Sequence, residues 1–327
     1  MINIPIFIPH AGCPHECSFC SQRAITGRAA APAPAEIGGI IHDFAVKAGR
    51  LIEDCMAAFF GGSFTGLPRG LMAEYLEAAA ALPIAGIRLS TRPDLIDGEV
   101  LDLLGRYNVK EIELGIQSMD DGVLAACGRG HTAADSEKAC ALVTGRGFGL
   151  TGQMMLGLPL STLDSELHTA RRIAGMGAKC ARVYPTVAFR GTRLYDEYAA
   201  GRYTPLSLDE AVERAAAVKR VFDAAGVRVI RMGLHSGEDF ADSDGFAGPW
   251  HPAFGELVES RIIFEDICGE IGDAAPKEIV IEAGAPFMSK VIGQSRTNIE
   301  RLRARYPGAK VEVAAVGGVE EYRVKWW

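Results

Sequence analysis

Three cysteines stand in C-x3-C-x2-C spacing in Cys13-Pro14-His15-Glu16-Cys17-Ser18-Phe19-Cys20, directly after an apolar run that opens the chain. Soft thiolates suit iron–sulfur centres, and cysteines this close let one short loop wrap a cluster. Three thiolates hold three irons of a [4Fe-4S] cube, and the fourth iron has no cysteine. An electron-transfer cluster usually takes four protein ligands, so the open position points to an iron that binds the amino and carboxylate groups of a small molecule. Two plainer readings compete: a zinc site completed by His15 or His10, and buried thiols without a ligand. Cys55, Cys127, Cys140, Cys180 and Cys268 lie singly and read as small buried residues, with Cys127 also a candidate substrate-side thiol.

A cluster loop needs a scaffold. Short, partly β-branched apolar runs recur at Ile2–Pro9, Ala57–Phe60, Gly86–Ser90, Lys110–Ile116, Gly149–Leu156, Lys179–Thr186 and Val227–Met232. Between them, stretches such as Leu71–Leu82 and Thr132–Arg146 carry apolar residues three and four apart. This β/α alternation predicts a parallel sheet, doubly wound or rolled into a full or partial barrel, with chemistry at the carboxyl ends of the strands. The Gly-, Asp- and Ser-rich stretch 236–250 predicts a linker between a first domain, 1–235, and a small α+β domain, 251–327. His235, where the seventh run gives way to the linker, is a candidate for the barrel mouth. With 327 residues, 48% hydrophobic and 23% charged, the composition is that of a globular chain and excludes disorder, collagen and a membrane span. The opening run is too short for a signal peptide and has no basic leader, and a cysteine cluster without a disulfide framework suits a reducing compartment. A cytoplasmic protein is expected.

The cysteine loop after a first strand, set in a chain of β/α units, resembles the radical S-adenosylmethionine enzymes, whose fold is a partial (β/α)6 TIM-like barrel. The resemblance implies that Cys13, Cys17 and Cys20 bind a [4Fe-4S] cluster and that S-adenosylmethionine occupies the fourth iron. An electron from a reductant such as flavodoxin or ferredoxin would cleave it to a 5′-deoxyadenosyl radical that abstracts hydrogen from a substrate. Gly61-Gly62-Ser63, after the second run, takes the position of the family's Gly-Gly-Glu-like motif, with Ser63 in place of the acid. Backbone without a Cβ would there approach the methionine amino group. Gln117, in Gly115-Ile116-Gln117-Ser118, and Ser90, closing the third run, are expected near the ribose or methionine. Arg129, in Arg129-Gly130-His131-Thr132, is expected to pair with the methionine carboxylate; the plainer reading is a surface arginine followed by a helix cap at Thr132. Gln153, where relatives often carry aspartate for a ribose hydroxyl, and Phe19, beside the third cysteine, complete the expected cofactor contacts.

Thr91-Arg92-Pro93-Asp94, Tyr184-Pro185-Thr186 and Arg190-Gly191-Thr192-Arg193-Leu194-Tyr195 are similar to stretches of the Elongator catalytic-subunit group. Those proteins modify wobble uridines in tRNA and use an acetyltransferase domain. The stretch after residue 250 is too short to append one, so acetyl-CoA chemistry is not carried over. The resemblance covers roughly residues 5–235 and does not specify a substrate.

Beyond it, a strand at Glu278–Glu282, Val291-Ile292-Gly293-Gln294-Ser295-Arg296 opening a helix, and a strand at Lys310–Ala315 read as KH-like, with Arg296 where the second loop glycine belongs. Residues 277–327 hold nine Lys/Arg against six Asp/Glu, a local +3 in a chain of formal charge −7. RNA or tRNA contact through this basic segment competes with a packing or dimerisation role. Trp326-Trp327 reads as a core anchor. The leading expectation is an Elongator-like radical enzyme acting on RNA or another sizeable substrate. One alternative is an iron–sulfur electron-transfer or RNA-binding protein that never cleaves the cofactor. The other is a haem-pathway enzyme like coproporphyrinogen oxidase, disfavoured by the Arg-Pro-Asp and Tyr-Pro-Thr stretches.

Overall fold

Every apolar run named above becomes a strand. In the computed structural model, which describes residues 2–9, 11–21, 30–234 and 245–327, the first is β1 (Ile2–Phe7). His10, His235 and the stretch 236–244 of the expected linker lie outside the described residues. After β1 follow α1 (Ile37–Lys47), β2 (Cys55–Phe60), α2 (Arg69–Ala80), β3 (Gly86–Thr91), α3 (Gly98–Gly105) and β4 (Val109–Gln117). Next come α4 (Asp121–Ala126), α5 (Ala133–Gly145), β5 (Gly149–Leu156), α6 (Leu163–Gly175) and β6 (Cys180–Pro185). A two-residue strand β7 (Ala188–Phe189), α7 (Arg193–Ala199), α8 (Leu208–Ala224) and β8 (Arg228–Met232) close the barrel portion.

The main sheet has seven strands in the order β1-β2-β3-β4-β5-β6-β8, all parallel. Spatial order follows chain order without reversal, which decides against double winding, where the order switches direction about a central crevice. Six crossovers stepping the same way around a twisted sheet curl it into an open half-barrel. The helices begin where side chains satisfy their free N–H groups. At Thr132, the hydroxyl accepts from Asp135 N at 3.2 Å while the Asp135 carboxylate accepts from Thr132 N at 2.8 Å, so the cap read from the sequence is present.

Side chains alternate across a strand, and here the two faces differ in chemistry. Ile87, Leu89, Ile112, Leu114, Ile116, Leu150, Met154, Ala181 and Val183 join the core under the helices. The intervening positions, Arg88, Ser90, Glu111, Glu113, Thr151, Gln153, Arg182 and Tyr184, fall on the concave face.

The remaining elements are β9 (Phe246–Ala247), α9 (Phe254–Ile271), β10 (Glu278–Ala283), α10 (Met288–Ile292), α11 (Thr297–Arg305), β11 (Lys310–Ala315) and β12 (Tyr322–Trp326). A second sheet runs β11-β10-β12, and α9 and α11 pack on it through Ile263, Ile267, Ile271, Ile299 and Leu302. The junction differs from a simple linker. β9 pairs antiparallel with β7, and Phe254 and Val258 of α9 belong to the barrel core, with Leu257 and Ile262 packed against it, while Ile263, Ile267 and Ile271 belong to the small one. The tryptophan pair is likewise split: Trp326 packs against the small core and Trp327 is 61% exposed. Among the described residues no helix is long and apolar enough to cross a membrane.

Candidate cofactor site

The cysteine loop is held to the turn after β2 by backbone packed on backbone. A Cβ on Gly62 would sit 2.2 Å from Ala11 O and 2.6 Å from Ile8 O, and one on Gly12 would sit 2.2 Å from Ser63 O. At Gly66 the clash would be with Gly12 O, at 2.0 Å. Only glycine fits such approaches. Ser63 N donates to Ala11 O at 2.9 Å, and Cys13 Sγ and Ser63 Oγ are 3.2 Å apart. The Gly-Gly-Ser turn therefore first serves to seat the cysteine loop. From the other side, Ser18 N donates to Cys127 O and Leu194 N to Ser18 O, each at 2.9 Å, and Phe19 packs among Val123, Cys127, Met155 and Leu158.

Two guanidinium groups converge on the middle cysteine. Arg129 Nη1 donates to Cys17 Sγ at 3.2 Å and its Nη2 donates to Gly115 O. Arg92 Nη1 reaches the same sulfur at 3.8 Å, its Nε bonds Asp94 Oδ1 at 3.0 Å, and its Nη2 donates to Arg129 O. Arg129 is 6% exposed, so it is not a surface arginine, and among the described residues it has no carboxylate partner and no acceptor for Nε. Nearby, His131 Nε2 lies 3.3 Å from Ile116 O. Burial, followed by the Arg129 charge, pushes the His131 pKa down to about 4, so the ring is neutral near pH 7. Gln117, where a bulge interrupts β4, has φ 66° and a buried carbonyl oxygen without a donor.

The concave face carries a second cluster, which reading the sequence did not single out. Glu113 meets Arg88 Nη2 at 3.2 Å, Arg182 Nε at 2.9 Å and Ser90 Oγ at 3.1 Å. Glu111 meets Arg88 Nη2 at 3.0 Å, Arg182 Nη1 donates to Tyr184 Oη at 3.2 Å, and both guanidinium groups lie over the Phe60 ring. The signal available in the sequence was charge at alternate positions inside otherwise apolar strands. Arg92 was visible only as part of a motif.

The expected site residues thus fall into groups. Cys13, Cys17, Cys20, Gly61, Gly62, Ser63 and Arg129 come together at the cysteine loop, with Phe19 behind it. Gln117 and Gln153 sit on β4 and β5. Ser90 bonds Glu113 rather than pointing to an open position. His15 lays its ring on Gly130, where a Cβ would come within 2.4 Å of it. Cys127 is fully enclosed, and burial, then the neighbouring Cys17, pushes its thiol up to about 12, as suits a small buried residue. In the C-terminal piece, Lys290, Arg301, Arg303, Arg305, Lys310, Arg323 and Lys325 each face a carboxylate. Lys277 and Arg296 do not, among the described residues, so the basic segment reduces to these two free cations.

Among the described residues the three thiols are not closed into a ready-made metal cage. All three are half-buried on one loop. The donor set and the charge balance fit an iron–sulfur cluster: soft sulfur ligands stand beside a buried guanidinium that lacks a counter-ion among the described residues, and a thiolate-bound cluster brings negative charge.

The chain matches the Radical SAM superfamily over residues 7–173 and the Radical_SAM C-terminal domain over residues 178–263. An uncharacterised protein of Methanocaldococcus jannaschii is 29% identical over 220 residues, 63% of this chain and 67% of that protein. The tRNA uridine(34) acetyltransferase of the same organism is 26% identical over 165 residues, which covers 50% of this chain and only 30% of that protein. The archaeal Elp3 of Methanocaldococcus infernus superposes with a TM-score of 0.62 at 17% identity, over 83% of this chain and 63% of that one, a likeness of fold.

Proposed function

The chain belongs to the radical SAM superfamily, and from that premise we propose that it is an enzyme that abstracts hydrogen from a substrate with a [4Fe-4S] cluster and S-adenosylmethionine. Together these groups supply one-electron reductive cleavage of a sulfonium followed by hydrogen-atom abstraction. In this reading Cys13, Cys17 and Cys20 ligate three irons, and the glycine contacts of Gly12, Gly62 and Gly66 fix the loop that carries them. Gln117 offers its unbonded carbonyl oxygen to a donor on the cofactor, and Gln153 stands on the next strand. Glu113, Arg88 and Arg182 hold the concave wall in one arrangement. The observation that carries the reading is the cysteine loop locked to the Gly61-Gly62-Ser63 turn beside a buried arginine that has no carboxylate among the described residues.

Anaerobically reconstituted protein given dithionite and S-adenosylmethionine is expected to form 5′-deoxyadenosine, and Cys17→Ala to form none. An intact cluster without turnover would favour electron transfer instead. A reductant such as flavodoxin or ferredoxin is the proposed partner, in the cytoplasm.

A nucleic-acid substrate is favoured by one further feature. The loop between α10 and α11 places Ser295 and Arg296 at positive φ, 51° and 64°, and Arg296 is exposed and unpaired among the described residues. A phosphate contact there would make Arg296→Ala weaken tRNA binding and reduce its logarithmic salt slope by about 1. Salt-independent or absent tRNA binding would remove RNA from the proposal.

A further inference from the structure

Resting on the cluster reading above, we infer that Arg129 and Arg92 form a cationic clamp on Cys17 Sγ, positioning residues that raise the reduction potential of the bound cluster. The first two cysteine corners are unlike. Cys13 faces the hydroxyl of Ser63 at 3.2 Å, a neutral partner. Cys17 faces two guanidinium groups, at 3.2 Å from Arg129 and 3.8 Å from Arg92, on side chains 6% and 3% exposed.

The clamp is built rather than incidental. Arg92 Nη2 donates to the backbone oxygen of Arg129, which ties the two arginines together, and Asp94 holds Arg92 through Nε and Nη2 at 3.0 and 3.2 Å. Arg129 is steadied by Gly115 O at the bulged end of β4. Of the pair, only Arg92 has a carboxylate among the described residues, where the side-chain partner of Arg129 is Cys17 Sγ. Hydrogen bonds and positive charge at a ligating sulfur stabilise the more negative, reduced state of a cluster, and the effect is large where water is excluded. Arg129 should therefore matter more than Arg92, being nearer and unshared.

The test is a mediator redox titration of the anaerobically reconstituted full chain, followed by the electron paramagnetic resonance signal of the reduced cluster, with iron and sulfide assayed on each sample. Wild type that takes up no cluster defeats the enzyme reading itself, before the clamp is reached. Given a cluster, Arg129→Gln is expected to move the midpoint to more negative potential, Arg92→Gln to move it less, and Arg129→Lys to fall between wild type and Arg129→Gln. Arg193→Gln is the control, since Arg193 is 54% exposed and donates to Ala126 O beside the same loop. An unmoved midpoint in Arg129→Gln at full iron content overturns the clamp, as does an equal shift in Arg193→Gln. Weakened S-adenosylmethionine binding at an unchanged potential also overturns it and returns Arg129 to the carboxylate role. If Arg129→Gln does not retain its iron, Arg129→Lys and Arg92→Gln carry the same comparison.

Discussion

Charge is handled in opposite ways by the half-barrel and the small C-terminal domain. On the concave face the side chains of Arg88 and Glu113 are 4% and 3% exposed, and they sit in one network with Arg182 and Tyr184. On the C-terminal sheet, Arg323 and Lys325 share Glu282 while 56% and 51% exposed. Exposed pairs contribute little because water and salt screen them. Buried pairs stabilise only as complete sets, since a lone buried charge is costly. The half-barrel therefore accepts that cost along its concave face, and the C-terminal domain uses acids mainly to cancel cations.

Removing one member from each region puts this contrast to its severest test. Glu113→Gln takes the paired carboxylate from Arg182 and leaves Arg88 with Glu111 alone, and it is expected to lower stability by about 3–5 kcal/mol in urea unfolding. Glu282→Gln is expected to leave the unfolding midpoint where it was. Equal effects would erase the distinction between the regions.

Next in size is the pH dependence set by His131. Its folded pKa of about 4 lies below the ordinary 6.5, so the unfolded chain binds the extra proton between these values. Its contribution is complete above pH 6.5 and is lost as pH falls towards 4, by up to about 3 kcal/mol. The difference in stability between wild type and His131→Gln, measured from pH 7 to 4, should shrink across that window. A constant difference would mean that the ring is not held neutral.

Smaller again is the glycine pair. Gly62→Ala pushes a methyl to within 2.2 Å of Ala11 O and should cost about 1–3 kcal/mol, with lowered iron uptake on reconstitution. Gly269→Ala, at an exposed position of α9, meets nothing within 4 Å and should stabilise by about 1 kcal/mol at most. Normal iron uptake by Gly62→Ala would show that the cysteine loop is not seated by this contact.

Much of the scaffold was legible because its rules are local. Each β/α unit carries its own periodicity, so the seven strands of the main sheet and the bounds of α5 could be read directly, as could the cap at Thr132, whereas the two-residue strands β7 and β9 carry too little pattern to be read. The strand order was not, because alternation alone does not say whether successive crossovers keep one direction. Neither was the split of α9 between two cores, since one apolar stripe looks the same whichever sheet it meets. In the site, spacing exposed the cysteines and the Gly61-Gly62 turn. Glu113 and Arg182 were passed over because a charge in a strand ordinarily faces water. Arg129 was singled out by its motif, yet its hydrogen bond to Cys17 spans 112 residues and exists only in the folded chain.

The central claim is that three cysteines hold a cluster with one iron free for S-adenosylmethionine. Its most direct test is the electron paramagnetic resonance spectrum of the reduced, reconstituted chain before and after S-adenosylmethionine is added. A [4Fe-4S] signal that changes on addition, and is lost in Cys17→Ala, is the predicted result. Zinc without iron, or a cluster signal indifferent to S-adenosylmethionine, would contradict it.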